Sequence, residues 1–183
     1  MLFRSLSNDE WIHLYDMLGY VYYAKGEYSQ AIDSYQKLLA LSNVPGSKRA
    51  AAYRFIAQLS QHQKEWLQSA TAYERYIALV KSPEPEDYQW LAWSCYQLER
   101  FEESLKNSST ALAMHDAGGT VLDKLLYDIQ RAFHHREGNL AQAEALVRQS
   151  LKHYPNEQDE AMLAKLVAMR SGNSGTHSAG ARE

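Results

Sequence analysis

The sequence predicts an all-α protein built as a row of antiparallel helix pairs, and three observations carry that reading. Leu and Ala number 22 and 23 among 183 residues, against 11 Val and Ile together. Leu and Ala lose little entropy in a helix, whereas β-branched residues favour strands. Apolar residues recur at helical spacing in stretches of about 12–16 residues that alternate with short polar turns. Those stretches also repeat. Tyr28, two places after Gly26, is followed by Trp66, Phe101 and Leu140 at intervals of 38, 35 and 39 residues. A period in that range marks units that bury their apolar faces by stacking on one another.

The elements follow in order. Residues 1–8 form a lead-in with a single positive charge and no apolar run of the length a secretory leader needs, so it does not read as one. The helical repeat region is expected over residues 9–171, with units at about 12–45, 50–83, 85–118 and 124–155. Within each unit a tight turn joins two helices: Lys25-Gly26-Glu27, Gln63-Lys64-Glu65, Leu98-Glu99-Arg100 and Glu137-Gly138-Asn139. Second helices are expected over residues 30–41, 68–80, 102–114 and 141–153. Between units stand Val44-Pro45-Gly46-Ser47, Ser82-Pro83-Glu84-Pro85, Ala117-Gly118-Gly119 and Tyr154-Pro155-Asn156, all helix breakers. Gly19, Ala57 and Ala92 in first helices, with Ala31, Ser69, Ser104 and Ala143 in second helices, mark close crossings. Tyr15, Tyr35, Tyr53, Tyr73 and Tyr88 fill the space beside them. Residues 157–170 read as a capping helix over the last unit, and residues 172–183, rich in Gly, Ser and Ala, as a disordered tail.

Several function classes lose support at this stage. A net charge of −3 and a pI near 6.2 leave no electrostatic footprint for nucleic acid. No apolar run approaches the roughly 18 residues of a membrane span. Cys95 is the single cysteine, so neither an intrachain disulfide nor a thiolate metal cluster can form, and its helical apolar context predicts a buried, inert thiol. His134 and His135 are adjacent and point about 100° apart on a helix, and no His pair stands at four-residue spacing. Glu99, Glu102 and Glu103 beside Lys106 read as a solvated helix face rather than an acid–base pair. No catalytic residue, cofactor or metal is expected. The cytoplasm is the default compartment, or the periplasm if the chain is a piece of an exported protein.

In the first unit, Tyr15-x2-Leu18-Gly19-x2-Tyr22 is followed by Gly26-x-Tyr28-x2-Ala31-x3-Tyr35; the third carries Tyr88-x2-Leu91-Ala92, Phe101-x2-Ser104 and Ala111. These residues and spacings resemble the tetratricopeptide repeat. The second unit keeps Tyr53-x2-Ile56-Ala57 and Tyr73 but has Ser60 and Ser69 where Tyr and Ala are usual. The fourth keeps Gly138, Ala143 and Pro155 but has Gln130 and Arg131 where Leu and a small residue are usual, which a register slip toward Ala132 would accommodate.

The resemblance implies a right-handed superhelical α-solenoid whose first helices line a concave groove for a protein or peptide segment. It places His13, Asp16, Tyr20, Tyr23, Arg54, Gln58, Gln61 and His62 on that groove, with Glu86, Gln89, Trp93, Tyr96, Gln97, Asp128, Ala132, His135 and Arg136 in later units. Tyr20, Tyr23, Trp93 and Tyr96 are the expected aromatic anchors. Arg54 and Arg136 are candidates for a carboxylate, with intramolecular ion pairing as their alternative use. Asp16, Tyr20, Phe55, Glu86 and Trp90 stand where one subgroup of the family clamps a chaperone's terminal carboxylate with Lys, Asn and Arg, so that ligand is not expected. The alternative reading is a self-associating structural component, or a chaperone-like subunit of an envelope or secretion assembly, with a homo-oligomer as partner.

Overall fold

The computed structural model describes residues 6–118 and 124–176. Among these residues all regular structure is α-helical, and nine helices fit about four helix pairs and a terminal helix. They fall into two compact units with a boundary after Arg100, inside the third pair. Gly119 and residues 1–5 and 177–183 lie outside the described residues, and with them part of the expected lead-in and tail. No helix among the described residues is long and apolar enough to cross a membrane.

The first unit contains α1 (Asn8–Ala24), α2 (Tyr28–Ala40), α3 (Gly46–His62), α4 (Trp66–Leu79) and α5 (Pro85–Gln97), each packed on the next. Ser7 starts α1 with a reciprocal cap: its Oγ accepts from the Glu10 N–H at 3.3 Å, and its own N–H donates to Glu10 Oε2 at 2.8 Å. Each second helix begins at the apolar residue right after its turn, Tyr28 and Trp66 here, two residues before the expected start. Tyr35 and Tyr73 are buried to 1% and 0% exposure, with Leu38, Ile56, Leu59 and Leu91 around them. The serines that depart from the repeat pattern are also buried, and each has a partner: Ser60 Oγ donates to Gln68 Oε1 at 2.7 Å, and Ser69 and Ser94 hydroxyls meet at 3.1 Å. A buried hydroxyl is tolerated when it is bonded in this way.

The second unit contains α6 (Phe101–Gly118), α7 (Lys124–Arg136), α8 (Leu140–His153) and α9 (Glu157–Thr176). Gln130, unusual for the repeat, is 6% exposed and donates from Nε2 to Ser109 Oγ at 2.9 Å and Ser108 Oγ at 3.3 Å. The hydroxyl pair on α6 thus satisfies the amide where it stands, and Ala132 remains half-buried. Against α8, the terminal helix packs Leu166, Met162 and Leu163 on Ala143 and Val147. It extends to Thr176, past the expected end at 170, and Ser171 Oγ bonds back to the Val167 carbonyl at 2.9 Å.

Asp159, 5% exposed, holds the start of α9 to α7. Its carboxylate meets Lys124 Nζ at 3.1 Å and accepts from Asn156 Nδ2 at 2.9 Å. Burial pushes this carboxyl up, but the bonds from Asn156 and Lys124 outweigh it and hold the group below its ordinary value.

The four intra-pair turns share one geometry. Gly26, Lys64, Glu99 and Gly138 all lie in the left-handed region, at φ of 76°, 60°, 60° and 74°. The following N–H reaches back five residues in each: Glu27 to Tyr22, Glu65 to Ser60, Arg100 to Cys95 and Asn139 to His134, at 2.8–2.9 Å. This is the Schellman closure of a helix, for which glycine carries no steric cost.

Two predictions follow from these contacts. A side chain in the left-handed region costs about 1–2 kcal/mol, and the extra freedom of glycine in the unfolded chain about 0.4–1 kcal/mol. Lys64→Gly and Glu99→Gly should therefore each stabilise by about 0.5 kcal/mol, read as a higher urea midpoint at unchanged slope. The contribution of Asp159 is complete above the ordinary carboxylate pKa and is lost as pH falls from there toward the lower native value. Asp159→Asn should be less stable at pH 7 and lose less on acidification than the parent chain, measured by urea titration at successive pH values.

Candidate functional site

Within the first unit, the apolar core leads outward to a wall of rings. Tyr35 of α2 stacks on Phe55 of α3, centroids 5.0 Å apart and planes 2° from parallel. Phe55 meets Tyr23 of α1 at 6.0 Å, and Tyr23 meets Tyr20 at 6.5 Å. Tyr20 and Tyr23 are 61% and 43% exposed. On α5, Trp93 stacks on Tyr96 at 5.8 Å and meets Trp66 edge-on at 6.4 Å and 83°.

Between these groups lies a cleft of about 370 Å³ lined by Tyr23, Phe55, Gln58, Leu59, Gln61, His62, Trp66, Trp90 and Trp93. A neighbouring cavity of about 490 Å³ shares Phe55 and Gln58 and is lined along α3 by Arg54, Ala51, Ala50 and Ser47, with Tyr76 of α4 and Val80 just past its end. The two form one furrow along α3. Gln61 Nε2 donates to the Trp90 carbonyl at 3.2 Å and to Ser94 Oγ at 3.4 Å, which fixes α5 against α3 at the floor of the cleft.

The expected groove residues divide into three groups. Tyr23, Gln58, Gln61, His62 and Trp93 line the cleft together, with Tyr20 and Tyr96 in ring contact at its margins. His13 is exposed on α1, Asp16 is ion-paired to Lys48, and Glu86 is exposed near the start of α5. Gln97 is half-buried at the end of that helix. Gln89 differs from expectation: it is 4% exposed, on the packed side of α5. Arg54 is engaged within the fold. Its Nη2 meets Asp87 Oδ1 at 3.2 Å and also pairs with Glu84, and the guanidinium lies 5.4 Å from the Tyr76 ring centroid.

The remaining expected residues lie in the second unit. Arg136 lies over Phe101 at 4.3 Å and pairs with Glu137 at 3.3 Å, Asp128 pairs with Lys124 and Arg131, and His135 is exposed.

Asp87 explains the use made of Arg54. Its carboxyl is 1% exposed and accepts from the Glu84 N–H at 2.8 Å, which closes the first turn of α5. Burial pushes its pKa up, opposed by that N–H and by the Arg54 charge. Arg54 therefore compensates a buried charge and ties α3 to α5.

Sequence reasoning did not place Trp66 in the groove, and it set Phe55 and Trp90 at the carboxylate-clamp positions of the family without counting them among the residues expected to bind. Trp90 was legible, because it stands three residues before Trp93 and shares its helix face. Trp66 reads in the sequence only as the recurring apolar residue after the turn Gln63-Lys64-Glu65; like Phe55 it is only partly buried and lines the cleft. Cys95 is buried, as expected. Among the described residues no three His, Cys, Asp or Glu side chains are grouped as a metal site would need.

Paired helices with small residues at the crossings and left-handed turns of one geometry define a helical-repeat fold. A tetratricopeptide-repeat family model matches residues 12–43, the α1–α2 pair. The chain carries that repeat and has the fold of tetratricopeptide-repeat proteins, about four repeats and a terminal helix. YrrB, described as a tetratricopeptide-repeat protein with an unusual peptide-binding site, superposes with a TM-score of 0.68 at 14% identity, over 90% of this chain and 78% of that one. MamA gives 0.68 at 13% identity, over 87% and 88%. PilF of Pseudomonas aeruginosa gives 0.58 at 19% identity, over 90% and 71%. These likenesses are of fold. No curated protein sequence matches the chain.

The Arg54–Asp87 pair generates a stability prediction. Removing one partner of a buried pair strands the other, so Arg54→Ala should cost about 2–3 kcal/mol in urea denaturation. Pairing Arg54→Ala with Asp87→Asn should restore part of that loss. By contrast, Lys48→Ala, which breaks the solvent-facing pair with Asp16, should cost less than about 1 kcal/mol.

Proposed function

We propose that the protein is a non-catalytic interaction module that binds a segment of a partner protein in the furrow along α3. One observation carries this reading: two cavities of about 370 and 490 Å³ lie side by side along α3, share Phe55 and Gln58 in their linings and are walled by partly exposed aromatic rings from α1, α3, α4 and α5. A cleft of that size takes one or two side chains of an extended or helical segment, and aromatic walls give contact area at low entropic cost. Gln58, Gln61 and His62 supply hydrogen bonding that can fix the register of such a segment. The peptide-binding site described for YrrB, a protein of the same fold, is in keeping with this reading.

A specific observation favours self-association through the edge of the array as a second reading. Leu14, Met17 and Val21 of α1 stand 38 residues before Ala52, Phe55 and Leu59 of α3, and α3 packs on α2. Val21 is 41% exposed where Leu59 is 1%, and Met17 is 53% exposed. The stripe that α3 covers with the preceding pair is thus open on α1, ready for a helix of another chain.

Affinity capture from the native extract should distinguish the readings, with Tyr20→Ser, Tyr23→Ser, Trp90→Ser as the furrow variant and Met17→Lys as the edge variant. Arg54 is left intact because it is structural. Equal circular dichroism and melting temperature would establish that both variants are folded. The furrow reading expects a partner held by the parent chain and the edge variant but lost from the furrow variant. A partner retained by the furrow variant, with light scattering showing an oligomer that Met17→Lys dissociates, would replace it by the edge reading.

A further inference from the structure

The chemistry of the cleft specifies its guest more closely than "a segment". Among the described residues that line it, none is Lys, Arg, Asp or Glu, and five are Tyr, Phe or Trp. Trp66 and Trp93 meet edge-on, their planes 83° apart, with Tyr96 stacked on Trp93, while Tyr23 and Phe55 stand on the α1–α3 side. Ring faces carry negative quadrupole density and attract a cation, Trp most strongly. Gln61 adds to this polarity. Its Nε2 is spent on the Trp90 carbonyl and Ser94, which leaves its Oε1 as the acceptor for a donor-rich guest.

Among the described residues that line the adjoining cavity the one charged side chain is Arg54, and its guanidinium is already paired with Glu84 and Asp87. An acidic guest would meet rings and amide oxygen in the cleft and, beyond it, a guanidinium already committed to two carboxylates. A purely aliphatic guest would leave the Gln61 acceptor unused.

We propose that the cleft receives an arginine side chain of the bound segment, seated against Trp66, Trp90 and Trp93. Arginine fits better than lysine because its planar guanidinium stacks on rings, presents several N–H donors and is less strongly hydrated. This inference rests on the furrow reading but adds a claim about charge that can fail separately.

Citrulline, which replaces the guanidinium by a neutral urea of the same shape, isolates that claim. The full chain would be titrated with three alanine pentapeptides carrying arginine, citrulline or glutamate at the centre. The probe is the set of indole N–H resonances from its four tryptophans. Trp11, which stacks on Tyr15 at 5.3 Å and does not line the cleft, is the internal reference.

The arginine peptide should shift Trp66, Trp90 and Trp93 saturably and leave Trp11 unmoved. Citrulline should bind about tenfold more weakly, and glutamate more weakly still. Trp90→Leu, at an exposed position, should weaken the arginine peptide and narrow its advantage over citrulline. Equal binding of arginine and citrulline would overturn the inference and leave segment binding standing. Failure of all three to shift the resonances would also overturn it, while the capture experiment decides the furrow reading independently.

Discussion

The ring of Tyr35 lies where a side chain at position 19 would be. A Cβ on Gly19 would come within 2.6–2.8 Å of three Tyr35 ring atoms, closer than such contacts occur. Glycine therefore sets how near α1 and α2 approach, and the approach fixes the plane of Tyr35. That plane in turn fixes Phe55, stacked on it within 2° of parallel, and Phe55 positions Tyr23. A steric constraint inside the first repeat is thus passed by rigid rings to the wall of the furrow. The second repeat uses the same device in milder form, with fully buried Ala57 and Tyr73 at the positions 38 residues on.

Later repeats meet the same packing problem with different chemistry. Where the first two repeats place a tyrosine, the third has Ser108 and the fourth Val147, at the same intervals that separate the turns. Less volume at that position leaves room for a long side chain from the next helix, and Gln130 supplies it. Its amide costs little to bury because two serine hydroxyls accept from it. The weak match of the fourth repeat to its pattern is therefore a paired substitution: Gln130 and the Ser108–Ser109 pair make sense together.

Such pairing also marks how far the sequence could be read. The period, the helix pairs and the terminal helix were legible because Gly26, Gly138, the prolines and the Tyr and Ala positions are local signals at fixed spacing. Lys64 and Glu99 adopt the glycine-like turn without any local signal; position in the period alone gave them. The site was less legible. Tyr23, Gln58, His62 and Trp93 line the cleft, yet Gln89 on the same helix as Trp93 is turned into the packing. Both uses of Arg54, a carboxylate of a partner or an intramolecular ion pair, stayed open in the sequence because its partners lie 30 and 33 residues away, beyond α4. Long-range ion pairs of this kind leave no trace in local pattern.

The furrow and the core share their parts, and this bears on recognition. Phe55 packs on buried Tyr35 on one side and lines both cavities on the other. Gln61 contributes to the cleft while holding the Trp90 carbonyl. Arg54 sits in the second cavity while compensating Asp87. Side chains held this way would lose little further freedom on taking a guest, so the ordering cost of the proposed binding would fall mainly on the guest. The same coupling narrows what can vary: exchange of Phe55 disturbs the repeat interface, and exchange of Arg54 strands a buried carboxylate. Tyr20 and Trp90, both exposed, carry no such burden. The side chains that can vary without cost to the fold are therefore those at the rim, around a framework whose geometry the core has already set, and on the proposed reading it is they that would tune specificity.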